Sequence, residues 1–169
     1  MKNFFTVVPL QGKGNLDQYH YQPVENERLA MEEKTAFPIV PVMNGYLQPG
    51  EESQVIAVVI ENEDTNRNYQ QFMEEVDALC ARKGLVHPEI KKVVVPMDDS
   101  VNAHIDLFQK LIEYTEENDE LFACITYGTK PLSMAVRMAV QYAYRVMRNT
   151  TIDCIVYGQI DRSAGSDRS

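Results

Sequence analysis

The chain has 169 residues, 44% of them apolar, which suits one domain with a full core and excludes global disorder. Its net charge of −9 argues against duplex DNA or RNA as a generic partner, since such binders are usually basic. The cysteines Cys80, Cys124 and Cys154 are far apart, no apolar run reaches membrane-spanning length, and Met1-Lys2-Asn3 leads into a strand rather than a signal peptide. The expectation is a cytoplasmic protein with buried thiols and no membrane partner.

Asn3–Leu10 is rich in aromatic and β-branched residues and predicts a strand. It runs into Gln11, Gly12, Lys13, Gly14 and Asn15, whose two glycines permit close backbone approach. Alone, this G-x-G segment is a weak signal and reads more readily as a plain loop. Its position after a first strand is where open α/β sheets bind ligands. Gln18–Val24 alternates and predicts a short strand or hairpin arm. Residues 25–36 suggest a helical turn. Phe37–Val42 contains two prolines and predicts a short or edge strand. Residues 45–53 are rich in turn formers.

Gln54–Ile60 is a continuous apolar run, the pattern of a strand covered on both faces. From Tyr69 to Lys83 the apolar spacing predicts an amphipathic helix, stopped at Gly84. Lys91–Val95 predicts another short buried strand. It leads into Met97, Asp98, Asp99 and Ser100, and one of the last three should cap the following helix. Leu121–Ile125 predicts a strand that breaks off at Thr126-Tyr127-Gly128-Thr129-Lys130-Pro131. A long helix follows, apolar on most faces and therefore expected to be widely buried, with one face open to a dimer interface. Thr151–Tyr157 is the last predicted strand, ending at Gly158. Residues 161–169 are small and polar and predict a flexible tail.

From residue 54 onward, strand and helix alternate. Double-sided apolar strands in that alternation predict an α/β fold: a single Rossmann-like domain over residues 1–160, with a doubly wound, mostly parallel sheet flanked by helices.

The segment 125–131 concentrates the candidate chemistry. A strand end, a tight turn and a helix start would bring free amides, the helix dipole, the Thr126 and Thr129 hydroxyls and Lys130 to one spot. That suits a phosphate or another anion, although Thr129 also reads as a simple cap and Lys130 as a solvated lysine. The charge distribution agrees. Residues 61–120 are strongly acidic, whereas residues 121–169 carry more bases (Lys130, Arg137, Arg145, Arg148, Arg162, Arg168) than acids (Asp153, Asp161, Asp167). A locally positive segment on an acidic body suits a small anion better than a long polyanion. His20, His87 and His104 lie in separate segments without metal-ligand spacing, and Asp98-Asp99 reads better as a capping pair than as a catalytic one. Neither a metal nor another cofactor is expected.

The segment CITYGTKPLSMAVRMAVQYAYRV, followed by TIDCIVYG, resembles the second signature of the CRISPR-associated Rossmann fold (CARF) domains. There a strand ends in D-[IV]-T-[HG]-G-x-[RK], before a helix and a strand closing in Y-G. Thr126, Gly128, Lys130 and Tyr157-Gly158 match; Cys124 stands in place of the acid and Tyr127 in place of His or Gly. The start, FFTVVPLQGKGNLDQYHYQPV, resembles the family's other signature, a first strand, a G-x-G-N loop and a Tyr-bearing strand.

The resemblance implies a homodimer that binds one cyclic oligoadenylate, of four or six units, across its two-fold axis in type III CRISPR antiviral signalling. Gln11, Gly12, Lys13, Gly14 and Asn15 would form one wall. Thr126, Gly128, Thr129, Lys130 and Pro131 would form the other, with Met97 and Asp98 reaching the adenines. No effector domain is expected within these residues. The chain would be a sensor, one part of a larger assembly or a piece of a longer effector. The alternative is a metal-independent ring nuclease, in which a ribose 2′-hydroxyl attacks the adjacent phosphate and leaves a 2′,3′-cyclic phosphate. Lys130 would then stabilise the developing charge, with Thr129 or Lys13 assisting. A further alternative keeps the fold as an unrelated Rossmann-like nucleotide or phosphosugar enzyme, though the full G-x-G-x-x-G fingerprint is missing.

Overall fold

A computed structural model describes residues 1–9, 16–23, 25–97, 100–127, 129–161 and 166–168. Five strands, β1 (Lys2–Val7), β2 (Ser53–Ile60), β3 (Glu89–Val95), β4 (Glu120–Cys124) and β5 (Thr151–Val156), form one all-parallel sheet in the order β3-β2-β1-β4-β5. Four helices flank it: α1 (Ile39–Tyr46), α2 (Glu63–Lys83), α3 (Val101–Ile112) and α4 (Lys130–Val146). This is the expected Rossmann-like α/β domain. Two short antiparallel strands, β6 (Gln159–Asp161) and β7 (Ser166–Arg168), follow β5, the second within the segment 161–169 predicted as a flexible tail. No helix among the described residues is long and apolar enough to cross a membrane.

Alternating side chains divide the core in two. Phe4, Val55, Ala57 and Phe122 face α1 and α2, whereas Phe5, Ile56, Val58 and Leu121 face α3 and α4. All eight residues of β2 are buried, as its unbroken apolar run requires. Phe122 stacks on Phe4 with ring centroids 4.5 Å apart and tilts against Tyr46 at 4.9 Å.

Caps set the helix limits. The Asn62 side chain accepts the Asp64 amide at 2.8 Å, and α2 stops at Gly84, whose φ of 66° is the left-handed conformation glycine favours. Ser100 caps α3 by accepting from the Ala103 amide.

Three expectations change. Phe37–Val42 does not form a strand; it begins α1. Pro38 is the N-cap and Pro41 lies in the first turn, where amides lack intrahelical partners, so both prolines fit a helix start. Among the described residues of the Gln18–Val24 segment, 18–23, there is no strand, and Tyr19 makes an isolated antiparallel bridge with Thr35. β3 is not a buried strand. It lies at the sheet edge with only Val93 buried, and Lys91 and Lys92 mark it as an edge.

Candidate ligand-binding site

β1 lies at the centre of the sheet. The chain winds outward from it through β2 to β3, then crosses back and places β4 on the other side. The carboxyl ends of β1 and β4 are therefore neighbours at the point where the winding reverses. Open α/β sheets present a ligand crevice there.

The turn after β4 is braced from three directions. The Ile125 amide donates to the Val156 carbonyl at 3.0 Å. Thr126 Oγ1 accepts the Gly158 amide at 2.7 Å and lies 3.2 Å from the Cys124 thiol, which donates to it. The Ser133 hydroxyl, one turn into α4, shares its proton between the carbonyls of Ile125 at 3.3 Å and Tyr127 at 3.2 Å. Tyr127 turns away from solvent and donates its phenol proton to the Ala36 carbonyl at 2.5 Å. Burial pushes the Tyr127 phenol far above its ordinary value, with Tyr21 adding to the shift, so it remains a neutral donor. Burial likewise pushes the Cys124 thiol up.

Tyr157-Gly158 closes this arrangement. A Cβ at Gly158 would lie 2.5 Å from Pro38 Cγ and 3.1 Å from the Tyr21 ring. Glycine is required because the chain passes directly over those two side chains. Gly158→Ala is therefore expected to destabilise the domain by about 1–3 kcal/mol, the usual range for overpacking. That corresponds to a fall in melting temperature of roughly 2–10 °C, measurable by a thermal scan.

Beyond the turn, Thr129 is the N-cap of α4 and accepts the Leu132 amide at 3.4 Å, while its carbonyl accepts the Ser133 amide. Pro131 has no N–H to offer. Fewer amides are therefore free at the helix start than the sequence suggests, and the Lys130 side chain is exposed beside them. The Thr126 hydroxyl is engaged in holding the turn. Met97 is 65% exposed at the end of β3, two strands from β1 and therefore about 10 Å away by strand spacing. Gln11, Gly12, Lys13, Gly14, Asn15, Asp98 and Gly128 lie outside the described residues.

One feature of α4 departs from its expected wide burial. Leu132, Ala135, Val136, Ala139, Val140 and Ala143 face the core, but Met134 and Met138 are 60% and 53% exposed. With Val101, Ile105 and Phe108 of α3 they line an almost wholly apolar groove of ≈ 480 Å³, and Pro131 carries that groove to the start of α4. Tyr142 extends the surface, edge-on to Phe108 with ring centroids 5.6 Å apart.

No protein-family model matches the chain, and no curated protein matches it.

Proposed function

We propose that this protein binds a cyclic oligoadenylate of four or six units at the carboxyl ends of β1 and β4, across the two-fold axis of a homodimer. It would act in the cytoplasm as the sensor domain of type III CRISPR antiviral signalling. The observation that carries this reading is the adjacency of β1 and β4. The two segments whose residues resemble the CARF signatures follow these strands in the sequence, and the carboxyl ends of the two strands are neighbours in the sheet. The apolar α3–α4 groove supports the dimer, since Pro131 belongs both to that groove and to the start of α4. A second copy on this face would bring two Lys130 side chains toward one another, which suits a symmetric ring of phosphates.

Binding is favoured over cleavage. Thr126 is engaged with Gly158, and the partly buried Tyr127 is held as a neutral donor to Ala36, so neither is placed as a general base. Incubation with cyclic tetra- and hexa-adenylate in the presence of EDTA tests the reading. One intact ring retained per dimer is the expected result. Linear products carrying a 2′,3′-cyclic phosphate would replace the sensor by a ring nuclease, and retention of neither ring would overturn both.

A further inference from the structure

We infer that a second copy docks on the α3–α4 face with its two-fold axis parallel to these helices, so that Arg145 of each protomer meets the partner's Glu113. The inference rests on the homodimer of the reading above and adds how the two faces meet.

α3 and α4 each return between parallel strands and pack on the same side of the sheet, so they run in the same direction. Their first turns are level, since Val101 and Pro131 line one groove. On α3, Ile105, Gln109 and Glu113 follow at i, i+4 and i+8 and are all exposed, with Glu113 as the C-cap. On α4, Met134, Met138 and Arg145 share one exposed face at i, i+4 and i+11. Glu113 stands about 18 Å along α3 from Val101, and Arg145 about 17 Å along α4 from Met134, by the rise per helical residue. Each helix thus presents an apolar row that ends, at one height, in a charge. The charge is negative on α3 and positive on α4. Among the described residues, neither Glu113 nor Arg145 is in an ion pair.

Charge selects between the two ways of aligning the helices of two copies across this face. An axis perpendicular to the helices would lay α4 antiparallel on the partner's α4. That helix has no acidic residue, and its Lys130 would then oppose the partner's Arg145. The same axis would set the apolar Val101 against the partner's Glu113. An axis parallel to the helices instead lays each α3 on the partner's α4. Met134 and Met138 then meet the partner's Val101 and the partner's Ile105, and Arg145 meets the partner's Glu113, twice in each dimer. Opposite charges across an interface fix its register, and like charges oppose association. The parallel axis also leaves both Lys130 side chains at one end of the interface, where the chain enters α4. A ring held on that axis requires this.

Arg145→Glu and Glu113→Arg test the docking, by light scattering on the ligand-free protein. Both positions are exposed and outside the two core clusters, so each variant should keep the wild-type melting temperature. Each substitution alone opposes two like-charged pairs, and the dimer dissociation constant should rise by at least about tenfold. Mixing the two variants should restore a dimer within about threefold of wild type, because both pairs of the mixed dimer are again opposite in charge. One chain carrying both substitutions should recover likewise, and it serves as the test if a single variant fails to fold. Wild-type dimerisation in both single variants would overturn the inference, as would a mixture that stays monomeric. Recovery in the double variant without recovery in the mixture would also overturn it, by placing the pair within one chain. A monomeric wild type would overturn the homodimer and the docking together. If the wild-type dimer retains neither ring, the ligand reading fails alone, and recovery in the mixture would still support the docking.

Discussion

Met138→Glu is expected to convert the proposed homodimer into a monomer and to abolish ring retention. Val101, Ile105, Met134, Met138 and Tyr142 are all exposed large apolar residues on the α3–α4 face. Contiguous apolar surface of this kind usually marks an interaction site. A carboxylate introduced there would have to lose its water against an apolar partner, at a cost of several kcal/mol. Two-fold symmetry imposes that cost twice in each dimer, so the dissociation constant should rise by about a thousandfold or more. Met138 faces away from the sheet, and the second core cluster on that side does not include it. The variant should therefore fold with a near-native melting temperature. Sedimentation or light scattering at micromolar concentration reads the outcome. A variant with the wild-type mass would remove this face from the interface and leave the groove to another occupant.

The fold was largely legible because its strands and helices carry strong local patterns. Gln54–Ile60 reads as a two-sided strand, and Gly84 as a helix stop, from the sequence alone. Phe37–Val42 was misleading because β-branched residues and prolines both argue locally for an extended edge. Ile39, Val40, Val42 and Met43 are instead buried in the core cluster on the α1–α2 side of the sheet, and that tertiary burial decides for a helix. The exposed apolar face of α4 was obscured for another reason. A residue that meets the sheet and one that meets a partner are equally apolar, and only angular position around α4 separates Val136 from Met138.

Part of the candidate site was legible in the same way. The strand–turn–helix at 121–131 and the Thr129 cap follow from sequence pattern. The use of Thr126 does not, since its partner Gly158 is 32 residues away. The burial of Asn68 and Gln71 does not follow either, because a helical pattern is carried by apolar positions. Two amides within the buried stripe, at i and i+3, were the available signal.

Lys130→Ala should weaken ring binding by at least a hundredfold while leaving the dimer intact. Lys130 is exposed at the first position of α4, and neither core cluster includes it, so its removal should cost the fold little. A hydrogen bond to a charged group contributes about 1.5–3 kcal/mol, and a ring on the two-fold axis would lose two of them. With Pro131 lacking an amide and Leu132 and Ser133 bonded to Thr129, the α4 start has little else to replace the ammonium. Salt separates this electrostatic role from a packing role. Wild-type affinity should fall steeply as ionic strength rises, and the variant should show a shallower slope because fewer cations meet phosphate. Lys130→Arg should recover most of the affinity, since it retains the charge at the same place. The unliganded dimer should be unchanged or slightly tighter in Lys130→Ala, because two like charges near the axis are removed. Ring should also tighten the wild-type dimer, because a ligand held by both protomers stabilises their association. Titrating ring against both proteins at several salt concentrations, with mass measured alongside, reads all of these effects. Equal affinities and equal salt slopes would show that Lys130 does not meet the phosphates.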